Sequence, residues 1–129
     1  MNITVVLDAS AVRAYARLET VSVGELLQTV AEDGDLVGIP VLALVDLWPG
    51  LAKEEQALIT DLVGRADSPV QVLPMHADVV PAVAAWARSL GHGPAHAVAL
   101  VQDLGATLAT CQPDRYTAAL DPYDVLELS

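Results

Sequence analysis

The sequence predicts an α/β fold, a three-layer α/β/α arrangement around a central, mainly parallel sheet of four to five strands. Two observations carry this. Short apolar runs rich in β-branched residues recur along the chain, and stretches of helical period separate them. The runs are continuous rather than alternating, as expected of strands covered on both faces. No internal repeat, low-complexity tract or linker interrupts the pattern, so residues 1–129 read as a single domain.

Ile3 to Leu7 is the first strand. Ala9 to Leu18 follows as a helix, and Ser22-Val23-Gly24-Glu25 has the capping-box pattern that opens a second helix through Glu32. Asp33-Gly34-Asp35 is a turn, and Leu36 to Ile39 is a short strand. Pro40 is expected at the first position of a helix through Leu47, where a missing N–H costs nothing. Trp48-Pro49-Gly50 breaks that helix, and Lys53 to Val63 is amphipathic. Val70 to Leu73 is a strand, and His76 to Leu90 is a long Ala/Val helix. Gly91-His92-Gly93 reads as a loop before a helix from Pro94 to Leu104, which Gly105 closes. Thr107 to Thr110 is a strand, Gln112-Pro113-Asp114 opens a short helix, and Val125 to Leu128 is the last strand.

Composition narrows the function classes. Hydrophobic residues make up 53% of the chain, yet no apolar run approaches the ~18 residues of a membrane span. No basic, apolar leader of signal-peptide type precedes the first strand. Cys111 is the sole cysteine, which excludes an intrachain disulfide and fits a reducing cytoplasm. The net charge of −11 repels phosphate backbones, so any contact with RNA must come from the six basic residues. Arg13 and Arg17 are four apart and share a helix face. They read either as solvated surface charges or as contacts to a substrate or partner.

Two acids stand out. Asp8 ends the first strand at the place where open α/β sheets bind ligands, with Ser10 two residues on. It serves either as a metal ligand or as the N-cap of the following helix. Asp46 lies in Val41-Leu42-Ala43-Leu44-Val45-Asp46-Leu47, otherwise apolar all round. If buried there it needs a partner or a metal; at the helix end it reaches solvent instead. His76 and Asp78 read as polar residues opening a helix, Trp86 as a core or subunit anchor, and Cys111 as a small half-buried side chain. No P-loop, dinucleotide glycine motif, CxxC pair or nucleophile elbow is present.

Leu7-Asp8-Ala9-Ser10-Ala11-Val12, the acid at Asp46 and Leu104-Gly105-Ala106-Thr107-Leu108-Ala109-Thr110 together resemble the PIN domain, the family that includes VapC-type toxins of bacterial toxin–antitoxin pairs. The resemblance spans essentially the whole chain. It implies an α/β fold that cuts RNA with Mg²⁺ or Mn²⁺ held by three or four carboxylates. Asp8 matches the first acid as catalytic and metal-binding residue. Asp46 matches the second, where the family normally has Glu. The third position is held by Pro94 and the fourth by Gln112. Proline ligates nothing through its side chain, and glutamine offers only a neutral amide oxygen. Mg²⁺ is ordinarily tethered by carboxylates, and two-metal cleavage needs acids that bridge ions about 3.5–4 Å apart. His96, Asp114 and Gln112 are the candidate substitute ligands, with imidazole favouring Mn²⁺ or Zn²⁺.

The resemblance therefore implies a PIN-like domain with a degenerate site, a binding or regulatory module with weak or no nuclease activity. The alternative is an active Mg²⁺- or Mn²⁺-dependent ribonuclease, the toxin of a toxin–antitoxin pair, working with a reduced ligand set. It also implies a cytoplasmic homodimer that engages an antitoxin-like protein or RNA. A doubly wound signalling domain is a third reading, but a phosphoacceptor site wants an acidic pair where Asp8 stands alone.

Overall fold

Val5 and Leu7 point to one side of the first strand and Val6 to the other, and all three are buried. A strand with no wet face belongs in the middle of a sheet. The computed structural model, which describes residues 2–129, places it there. Strand β1 (Ile3–Leu7) pairs in parallel with β2 (Leu36–Pro40) and β4 (Thr107–Thr110). Strands β3 (Val70–Leu73) and β5 (Val125–Glu127) extend the sheet on either side. The order is β3-β2-β1-β4-β5 and every pairing is parallel, as the alternation of strands and helices predicts.

Among the described residues there are six α-helices: α1 (Ala9–Ala16), α2 (Ser22–Glu32), α3 (Val41–Leu47), α4 (Lys53–Gly64), α5 (Val80–Leu90) and α6 (His92–Leu104); α5 packs mainly on α6 rather than on the sheet. On one face, Val5 and Leu7 pack with Val12, Val23, Leu27 and Ile59. On the other, Val6 packs with Val98, Leu108 and Tyr116. Trp86 is half-buried and packs against this second cluster and the smaller one around Val83 and Ala99, as a core anchor should. Among the described residues no helix is long and apolar enough to cross a membrane.

Several element boundaries differ from the sequence reading. Pro40 is the last residue of β2, not the first of a helix. It is extended (ψ 133°) and lies in register with Leu73. Ser22 forms no capping box. Val21 occupies the N-cap position, and the Ser22 hydroxyl donates to the Ser129 carbonyl instead. The returning half of such a box appears at α4, where the Glu55 carboxylate accepts from the Ala52 N–H at 2.7 Å. Residues 77–79 form a 3₁₀ turn, and α5 starts at Val80. His92 and Gly93 belong to α6 rather than to a loop. Pro94 is the third helical residue, where an amide would have no intrahelical partner anyway.

Helix α1 ends two residues earlier than expected, in a Schellman turn. The Leu18 N–H donates to the Tyr15 carbonyl and the Glu19 N–H to the Ala14 carbonyl. That geometry puts Leu18 at φ 57°, a left-handed conformation usually given to glycine, with its side chain 79% exposed.

Candidate functional site

The strand order reverses between β1 and β4, which places a crevice at their carboxyl ends. Asp8 follows β1 directly and is the N-cap of α1. Its Oδ1 accepts the Ala11 N–H at 3.0 Å and the Ser10 hydroxyl at 2.6 Å. Its Oδ2 accepts the Thr110 hydroxyl at 2.6 Å and the Tyr116 hydroxyl at 2.7 Å. Asp8 is 3% exposed, and Thr110 and Tyr116 are fully buried. Two of these three hydroxyls also serve the chain leaving β4. Ser10 Oγ accepts the Cys111 N–H at 3.0 Å, and Thr110 Oγ1 accepts the Gln112 N–H at 2.9 Å. One carboxylate thus ties the ends of β1 and β4 to the 3₁₀ turn at Pro113–Tyr116.

Electrostatics follow from this closure. Burial and the adjacent Asp8 charge push the Tyr116 phenol far above its ordinary value, so it is a neutral donor at every working pH. Burial, then the Asp8 charge, raises the Cys111 thiol, which disfavours the reactive thiolate.

Asp46 does not need rescue from burial. Helix α3 is apolar in sequence but lies at the surface, with Val45 58% exposed and Asp46 itself exposed. Its Oδ2 accepts the Gly93 N–H at 3.0 Å, in the first turn of α6, where the helix dipole favours a negative charge. The approach depends on glycine, because a Cβ at position 93 would lie 2.7 Å from that oxygen.

His96 is fully buried in α6, and its Nδ1 accepts the Leu42 N–H at 3.4 Å in the first turn of α3. Burial lowers its pKa, and the Pro74 backbone opposes this only in part. Nε2 has no hydrogen-bond partner of normal geometry among the described residues. The ring is therefore neutral, with Nδ1 as acceptor.

The other candidates fall in separate places. Ser10, Arg13 and Gln112 line one open groove beside the crevice, together with Cys111. Arg13 also lines a second groove with Arg17 and Asp46. The Arg17 guanidinium is paired to Glu55 at 3.2 Å. Asp114 is exposed and lines a third cavity, with Glu127. Among the described residues no group of three or more His, Cys, Asp and Glu side chains is placed to hold a metal ion.

This donor set does not fit Mg²⁺ or Mn²⁺. A carboxylate offers about four lone-pair sites, and all of those on Asp8 accept from the protein. Asp46 is directed to a backbone amide, Pro94 has no donor atom, and Gln112 is exposed on a different groove. Sequence reasoning missed Tyr116 and Gly93. Neither carries a motif; Tyr116 stands 108 positions from the acid it binds.

Neither a scan against models of known protein families nor a search of curated proteins finds a match for this chain.

Proposed function

We propose that this chain is a PIN-like domain that acts by binding, as a regulatory module with weak or no nuclease activity. The observation that carries the reading is the saturation of Asp8 by Ser10, Ala11, Thr110 and Tyr116. A cation on that carboxylate would have to displace buried hydroxyls, and each orphaned buried donor costs about 1–3 kcal/mol. The missing acids at Pro94 and Gln112 leave little charge to repay that cost.

The same reading covers a cytoplasmic homodimer with an antitoxin-like protein or RNA as partner. The strip formed by Val41, Leu44 and Val45 on α3 and by Trp48 and Pro49 in the 3₁₀ turn after it supports a protein contact, since apolar side chains gathered at a surface mark interaction sites. Light scattering at micromolar concentration checks the dimer; a monomer there removes that part.

The test of activity is incubation of a mixed single-stranded RNA pool with the folded protein in Mg²⁺ and, separately, Mn²⁺. No cleavage is expected with either ion, from the wild type or from Asp8→Asn. Cleavage by the wild type that disappears in Asp8→Asn would overturn the reading in favour of a ribonuclease with a reduced ligand set.

A further inference from the structure

Strand β5 is one of the two outer strands of the sheet. The Leu128 N–H just beyond it turns inward to the Thr110 carbonyl at 2.9 Å. Backbone groups alternate along a strand, so the Glu127 N–H faces the open side. The Val125 N–H is taken by the Pro122 carbonyl, so the open side offers a further strand the Glu127 N–H and the outward carbonyls of this short edge.

A cavity of about 350 Å³ lies beside the edge, within the ~300–1,000 Å³ range of ligand pockets. Tyr116, Leu120 and Val125 give it apolar walls, and Asp114 and Glu127 supply two carboxylates. Val125 and Glu127 are two apart and face the same side of β5. Neither carboxylate has a hydrogen-bond or ion-pair partner among the described residues. The nearest cation in sequence, Arg115, is turned away and donates to the Leu90 carbonyl at 2.9 Å. Asp121 and Asp124 add further negative charge just before β5.

We infer that this edge docks a basic extended peptide, which pairs with β5 and places an Arg or Lys side chain in the cavity. The occupant follows from charge complementarity. The long stem of such a side chain matches the apolar walls, and its head meets Asp114 and Glu127. A second copy of the chain, at net charge −11, brings its own acids to the same edge.

The inference deepens the binding reading by giving one partner its chemistry. Its test is an NMR titration of the ¹⁵N-labelled full chain, at low salt, with an acetylated and amidated pentapeptide of alternating valine and arginine. The glutamate-for-arginine analogue is the control. Saturable shifts are expected at Val125, Leu126 and Glu127 with the arginine peptide only. Asp114→Asn and Glu127→Gln are each expected to weaken binding about fivefold, which is ~1 kcal/mol. Both positions are exposed, so the variants keep the fold. Equal binding of the two peptides, undiminished affinity in both variants, or no shifts in β5 overturns the peptide site. None of these outcomes depends on RNA cleavage, so this site and the binding reading fail separately.

Discussion

Asp46 and His96 each close the first turn of the other's helix. Asp46, on α3, accepts the Gly93 N–H of α6, and His96, on α6, accepts the Leu42 N–H of α3. Each acceptor meets the second residue of the opposite helix, so two amides without intrahelical partners are satisfied by one reciprocal exchange. Asp46→Ala is expected to cost ~1 kcal/mol in chemical denaturation, with Asp46→Asn keeping much of the cap. Gly93→Ala is expected to cost ~1–3 kcal/mol, because its Cβ meets the Asp46 carboxylate. The pair Gly93→Ala with Asp46→Ala should recover only part of that loss, since the Ala43 Cα also lies 3.2 Å from the new atom.

The Asp8 cluster predicts the sign of a charge removal. In a site where acids are gathered for a metal, neutralising one relieves repulsion and stabilises the metal-free protein. Here Asp8 is an acceptor for four donors, so Asp8→Asn is expected to destabilise by about 2 kcal/mol or more. Tyr116→Phe removes one charge-assisted bond and is expected to cost ~1.5–3 kcal/mol. Thermal melts of the two variants check both, and a more stable Asp8→Asn would contradict the structural role.

His96 ties stability to pH. Its folded pKa lies below the unfolded value, so above the unfolded pKa the ring is neutral in both states and its contribution is fully present. As pH falls below that value the unfolded chain takes up a proton more readily, and the contribution declines. Unfolding measured from pH 7.5 down to pH 5, taken as a difference between wild type and His96→Gln, should show the wild type losing ground. A constant difference would mean that the imidazole does not titrate between the two states.

Leu18 is a local cost that a single change removes. Leu18→Gly is expected to raise stability by about 1 kcal/mol, because glycine adopts φ 57° without the Cβ clash. The side chain is largely exposed, so little packing is lost. An unchanged or lower midpoint would show that Leu18 makes a contact worth more than its backbone strain.

The architecture was legible because it rests on local rules. Strand–helix alternation, the β-branched run at Ile3–Leu7 and the Gly105 stop at φ 65° are recorded in adjacent residues. Asp8 was legible as one of two things, and the structure shows it in the capping geometry. What was not legible was set by tertiary partners. Pro40 stays extended because it is in register with Leu73, and Ser22 turns to Ser129 rather than to its own helix. The first turn of α6 is stabilised at Gly93 by a carboxylate 47 positions away, which no window along the chain contains. The apolar stretch around Asp46 looked buried because periodicity reports composition and not which face finds a neighbour.

The pairing of β1 bears on how the chain is made. Val5 is matched to Val37 on one side and to Thr107 on the other. During vectorial synthesis the first strand emerges early and finds β2 soon after. Its second edge stays bare until β4 has left the ribosome. Between the emergence of β2 and that of β4 the nascent chain therefore carries an apolar, unpaired strand edge, a state in which ribosome-associated chaperones have something to hold.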